Sequence, residues 1–143
     1  MKIGFFGDGE WSHNALKQIL LNKKYKVSFI VPRYHSPDKI LESISKEKDI
    51  DFLIFKNVND QKNLKKLKNY NCDIFVSMSY DQIIKKELIA VPPKGFINCH
   101  AGALPFYRGR NVLNWVLIND EKNFGITAHY IDEGIDTGDI ILQ

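Results

Sequence analysis

Residues 72–100 read CDIFVSMSYDQIIKKELIAVPPKGFINCH, and two runs within them, CDIFVSM and GFINCH, are apolar almost without interruption. Between them lies DQIIKKELIA, whose composition and spacing predict a helix. Strands that are apolar throughout, rather than alternating, suit a parallel sheet covered on both faces. The same alternation runs through the chain upstream. KIGFF, KVSFIV and DFLIF predict strands, and SHNALKQILLN, SPDKILESISKEKD and DQKNLKKLKNY predict helices. In the first of these helices Ala15 and Ile19, then Leu16 and Leu20, repeat at helical spacing. Ser36-Pro37-Asp38 supplies an N-cap, a proline at the first helical position and an acid in the first turn. The first hundred residues therefore predict a doubly wound, Rossmann-like α/β sheet of about five parallel strands.

After Asn111 the pattern changes. NVLNWVLIND predicts a helix capped by Asn111 and carrying Leu113, Trp115, Val116 and Leu117. FGITAHYI and DIILQ predict two further strands around the glycine-punctuated loop DEGIDTG. The chain then ends inside an apolar strand, which leaves a sheet edge uncovered. Residues 1–143 are expected to form one α/β domain that is incomplete at its C-terminal end.

Composition narrows the class. Of 143 residues, 44% are apolar and 26% charged, as in an ordinary globular protein. The formal net charge of +3 is mild, and the basic residues are mostly Lys spread over predicted helix faces. That argues against a nucleic-acid partner. Cys72 and Cys99 stand in apolar runs without a CxxC or a His at ligand spacing, so they predict small core residues in a reducing compartment. No metal site is expected. The N-terminus is not a signal peptide and no run reaches transmembrane length, so the expected address is the cytoplasm, with no membrane partner.

The chemistry concentrates in FINCHAGALPFYRGRN, residues 96–111. Open α/β sheets bind ligands beyond the carboxyl ends of their strands. Asn98 and His100 are two apart at such an end, so they share a face and project together into the crevice. An amide donor beside an imidazole suits an oxyanion, although Asn-x-His alone is more often a polar end to a strand. The loop DEGIDTGD adds a dense set of acids flanked by glycines. It can set a carboxylate against the imidazole, favouring the imidazolium and providing a proton acceptor; it also reads as an ordinary acidic turn. In GFFGDGEWS the glycines at 4, 7 and 9 do not follow the dinucleotide-binding order, and VPR closes the second strand where an acid would be needed. A tight turn feeding a helix N-terminus can still hold a phosphate. Trp11 in that turn offers a ring for stacking, although packing is the commoner use.

Taken together, NCHAGALPFYRGRN followed by HYIDEGIDTGD resembles the formyltransferase family that includes glycinamide ribonucleotide transformylase and methionyl-tRNA formyltransferase. The resemblance implies Asn98, His100 and Asp136 as catalytic residues, and His129 matches a histidine present in some members. It implies 10-formyltetrahydrofolate as formyl donor, held by Tyr80, Gln82, Ile83 and Ile84 in SYDQII. The opposite wall would be the loop 130–135, with Tyr130, Asp132 and Gly134. RGRNVLNW and GDGEWS look more like the sugar N-formyltransferases. By that likeness Gly9, Trp11, Arg108, Arg110 and Asn111 would contact a nucleotide-linked amino-dideoxy sugar, such as a dTDP-sugar used for O-antigen in lipopolysaccharide. Salt bridges pinning the loop are an equal reading of the two arginines.

The implied reaction has the amine attack the formyl carbon. Asn98 and protonated His100 would donate to the oxyanion, and Asp136 would hold the imidazolium and accept the ammonium proton. Alternatives are the same transfer to another amine, such as methionyl-tRNA, and an inactive α/β binding module. Family members carry a further strand and helix after this loop, and many carry another domain, so a homodimer would form through elements outside residues 1–143.

Overall fold

The computed structural model describes residues 1–143. Five parallel strands form the body of one sheet: β1 (Lys2–Gly7), β2 (Lys26–Val31), β3 (Asp51–Phe52), β4 (Ile74–Met78) and β5 (Phe96–His100). Two antiparallel strands, β6 (Thr127–Tyr130) and β7 (Ile140–Leu142), extend it beyond β5. The order is β3-β2-β1-β4-β5-β6-β7. Sequence order thus reverses between β1 and β4, which opens a crevice at their carboxyl ends.

Period-two alternation explains why the strand runs are apolar throughout. Phe6, Phe29, Val31, Phe75 and Phe96 pack on one face, with residues from α3 (Gln61–Lys68) and α4 (Lys86–Ile89). Phe5, Val27 and Ile30 face the other way, against Leu16 of α1 (Gly9–Leu21) and Leu41 and Ile44 of α2 (Lys39–Glu47). The Phe6 ring lies 4.8 Å from Phe96 and 5.4 Å from Phe75, centroid to centroid. Full burial of each such ring contributes about 1.5–3 kcal/mol.

Several elements differ from the sequence expectation. The helix predicted over residues 81–90 shrinks to α4, because the Asn59 side-chain amide claims the backbone of residues 83 and 85. α2 is capped by Asp38, not Ser36: its carboxylate accepts from the amides of Ile40 and Leu41. The other oxygen of Asp38 accepts from Gly9 N at 2.9 Å and lies 2.7 Å from His13 Nε2, tying the N-termini of α1 and α2 together. DFLIF is strand only at Asp51–Phe52, although Leu53 N still reaches the Ile30 carbonyl. Asn111 precedes α5 (Val112–Ile118) in a left-handed conformation and caps nothing with its side chain. Of that helix only Val112 and Val116 are buried; Leu113, Trp115 and Leu117 are exposed. Cys72 is a core residue, but Cys99 is partly exposed along the crevice. No helix is long and apolar enough to cross a membrane.

Candidate active site

A cavity of about 640 Å³ opens beyond the carboxyl ends of the parallel strands, a size suited to a small-molecule ligand. Ser79 to Ile84 follow β4 along one wall. Asn98 and His100 form the floor, and Asp132, Gly134, Ile135 and Asp136 come from the loop after β6.

Sheet register brings the central groups together. β5 pairs antiparallel with β6 so that Asn98 stands opposite His129, and His100 opposite Thr127. Asp136 then reaches between two imidazoles. Its Oδ2 is 3.5 Å from His100 Nδ1 and its Oδ1 is 3.5 Å from His129 Nε2, ion-pair distances rather than short hydrogen bonds. The amide of Gly109 donates to Asp136 Oδ2 at 2.8 Å. Asp136 sits at φ 52°, in the left-handed region that acids tolerate better than most residues. The turn before it is held by Asp132, whose Oδ1 accepts from Gly134 N at 3.0 Å and Thr137 Oγ1 at 2.6 Å. The Thr137 bond holds the Asp132 carboxyl below its ordinary range.

Asn98, His100 and Asp136 thus line one cavity, and His129 lies among them. Burial opposes charge on His129. Its contacts with Asp136 and with the Tyr130 carbonyl outweigh that cost and place its pKa above the ordinary value. Burial likewise acts to raise Asp136, but His129, the Gly109 amide and the field of His100 prevail and lower it. His129 Nδ1 donates to the Tyr130 carbonyl at 2.8 Å, which leaves Nε2 facing the cavity. That nitrogen is also 3.4 Å from Asn98 Nδ2. Neutral His129 accepts from Asn98, whereas cationic His129 turns its proton toward Asp136 and leaves the Asn98 donor free.

His100 differs from the expectation in one respect. Its Nε2 donates to the main-chain carbonyl of Tyr107 at 2.6 Å. A Cβ at Gly102 would stand 2.5 Å from that carbonyl oxygen and 2.7 Å from Nε2, so only glycine admits this close approach. Both ring nitrogens of His100 are thus engaged, one with Tyr107 and one with Asp136.

The remaining candidates divide. Tyr80, Gln82, Ile83, Ile84, Asp132, Gly134, Trp11, Arg110 and Asn111 all line the cavity. Gln82, however, turns its amide to the backbone of residues 55 and 58. Gly9, Arg108 and Tyr130 are not brought there. The Gly9 N–H is taken by Asp38, whose carboxylate occupies the place where a phosphate would sit at the start of α1. Tyr130 lays its ring over Gly95 at the opposite end of β5, and Arg108 is exposed on the outer side of its loop. Arg110 is pinned by the Asp81 carbonyl, at 2.7 Å, not by a salt bridge.

Sequence reading passed over Arg33, just beyond β2. Its guanidinium donates to the Ser79 carbonyl at 2.6 and 3.0 Å and reaches Asp8 Oδ2 at 3.3 Å, at the cavity mouth. Its place after a parallel strand was the available signal. The Tyr80 hydroxyl and Asp81 Oδ1 are buried without a partner in the same wall. Unpaired polar atoms beside a cavity fit a ring that presents both donors and acceptors.

Comparison with known proteins identifies the family and the fold. The model of the "Formyl transferase" family matches residues 1–143. Among curated relatives, methionyl-tRNA formyltransferase of Clostridioides difficile is 33% identical over 151 residues, spanning 100% of this chain and 48% of its own length. That of Clostridium beijerinckii is 35% identical, over 100% of this chain and 49% of its own length. The chain thus spans about half the length of the curated relatives it matches. Among solved structures, glycinamide ribonucleotide transformylase 1 of Symbiobacterium toebii superposes with a TM-score of 0.83 at 21% identity, over 99% of this chain and 71% of that one. WlaRD, a sugar 3N-formyl transferase solved with dTDP and 5-N-formyl-THF, gives 0.75 at 28% identity, over 99% and 50%. With its whole length matched, the chain belongs to the formyl transferase family.

Proposed function

We propose that the protein transfers a formyl group from 10-formyltetrahydrofolate to the amino group of a nucleotide-linked amino sugar. The observation carrying this reading is the placement of Asp136 between His100 and His129, with the Asn98 amide beside them. 10-Formyltetrahydrofolate supplies the formyl carbon; the new N–C bond forms as the bond to the folate nitrogen breaks. Asn98 donates to the oxygen on which negative charge develops, and removing such a donor costs about a hundred- to a thousandfold in rate. Asp136 accepts the proton released by the amine, and that proton passes on to the folate nitrogen as its bond to the formyl carbon breaks, a role worth roughly a hundred- to ten-thousandfold. His100 adds positive charge beside that oxygen and donates to it once the Tyr107 carbonyl moves off Nε2. Tyr80, Asp81 and the Ile83–Ile84 wall hold the donor ring, with Asp132 and Gly134 opposite.

The sugar reading draws on the far end of the cavity. Trp11, 43% exposed, offers a ring to a nucleobase, and Arg33, Arg110 and Asn111 line the same cavity. Its neighbour WlaRD acts on a sugar. A second reading, methionyl-tRNA as the amine, is favoured by the curated relatives at 33–35% identity. A cytoplasmic location and freedom from metals accompany either reading. Deformylation of the folate is measured with dTDP- and UDP-linked amino sugars and, separately, with methionyl-tRNA. Turnover with the sugars alone is expected; turnover with the tRNA alone transfers the assignment to the second reading, and none with any amine refutes both.

A further inference from the structure

The segment of residues 80–85, whose first five residues form the wall, has no regular secondary structure, yet its shape is closely specified. Four hydrogen bonds join it to the segment 55–59, and in each of them one side is a side-chain amide. Gln82 Nε2 donates to the Phe55 carbonyl at 3.0 Å while its Oε1 accepts from Val58 N at 2.8 Å. In the reverse direction, Asn59 Nδ2 donates to the Ile83 carbonyl at 2.8 Å and its Oδ1 accepts from Lys85 N at 2.9 Å. Each primary amide therefore stands in for a peptide unit of a neighbouring strand, closing one carbonyl and one N–H. At the other end Arg33 holds the Ser79 carbonyl, at a residue with φ 58°.

We infer that Asn59 is a positioning residue for the formyl-donor pocket, acting with Gln82 as a reciprocal amide clamp on the loop 80–85. Asn59 does not line the cavity, whereas Tyr80, Asp81, Gln82, Ile83 and Ile84 do. The clamp also explains why DQIIKKELIA is not helical at its start. A helix there would need the Ile83 carbonyl, which Asn59 has taken. Pre-set loop geometry lowers the ordering cost of binding, so loss of the clamp weakens donor affinity more than it slows the chemical step. The inference rests on residues 80–84 being the donor wall.

The test uses the intact protein with 5-formyltetrahydrofolate as a non-transferring probe, alongside amide hydrogen exchange at Lys85. Asn59→Ala is expected to bind the probe about tenfold more weakly, or 1.4 kcal/mol. It should raise the donor KM similarly, leave kcat within about threefold, and accelerate exchange at Lys85. Asn59→Asp keeps the acceptor for Lys85 N but sets a carboxylate oxygen against the Ile83 carbonyl, so it should bind more weakly than wild type. It also carries the test if the alanine variant does not fold. Binding within twofold of wild type by the variant overturns the inference. If wild type takes up no probe, the donor-wall reading fails instead, and exchange decides the clamp: faster at Lys85 in the variant upholds it, unchanged overturns it.

Discussion

Replacing Asp136 with Asn separates the charge of this residue from its shape. The amide oxygen of Asn can still accept from Gly109 N, so the loop keeps that tie. What disappears is the negative charge shared by two imidazoles, each at 3.5 Å. At an effective dielectric near 20, one unit pair at that separation interacts by roughly 4–5 kcal/mol before desolvation is counted. With desolvation set against it, the net loss in stability should be about 1–3 kcal/mol where His129 is charged. That loss should be smaller where His129 is neutral, so melting is measured at about pH 6 and about pH 9. Transfer should slow roughly a hundred- to ten-thousandfold, which is about 2.7–5.5 kcal/mol on the barrier. The rate is followed by folate deformylation, and the His129 proton by NMR titration, where its pKa should fall. A variant that transfers within threefold of wild type, or that loses equal stability at both pH values, would refute the account of Asp136.

Three further outcomes follow from the same geometry. Because His129 has a raised pKa, its contribution to stability is complete below its reference value of 6.5 and is lost as pH rises through the folded value above that. The lowered Asp136 contributes fully above 3.8 and loses its contribution as pH falls below that. Stability attributable to the pair should thus be level between these values, and His129→Gln should flatten the alkaline decline in a series of melts. Gly102→Ala places a methyl on the Tyr107 carbonyl and His100 Nε2, and should cost about 1–3 kcal/mol by overpacking; urea unfolding with an unchanged midpoint would count against it. Phe6→Ala removes a fully buried ring packed on Phe29, Phe75 and Phe96, and should cost about 3–5 kcal/mol at constant m.

The strands were legible because burial on two faces leaves a local mark. Phe5 and Phe6 face opposite cores, so their run lacks alternation. Asn98 and His100 were legible from period-two spacing at a strand end. What escaped reading depends on contacts between distant residues. The start of DQIIKKELIA has helical composition, and nothing nearby announces that Asn59 will take the Ile83 carbonyl and the Lys85 N–H. Ser36 and Asp38 are both cap formers; Asp38 prevails because Gly9 and His13 converge on its second oxygen. His129 enters the centre only through the β5–β6 register, and the Tyr107 carbonyl reaches His100 through main-chain folding that no residue type encodes. Tyr130 follows His129 in β6, so period-two alternation turns its ring away from the cavity and over Gly95.

The β5–β6 ladder has a consequence for how this scaffold can diverge. Asn98 and His129 are held opposite each other by sheet pairing, while the chain between β5 and β6 makes a long detour and returns to the same place. The detour touches His100 and Asp136 through a carbonyl and an amide of the main chain, at Tyr107 and Gly109. Side chains along it, including Arg110, Asn111 and the exposed face of α5, are free to be exchanged while the reacting centre keeps its dimensions. On the proposed function, choice of acceptor would change by drift in that detour, with the transfer step carried along intact.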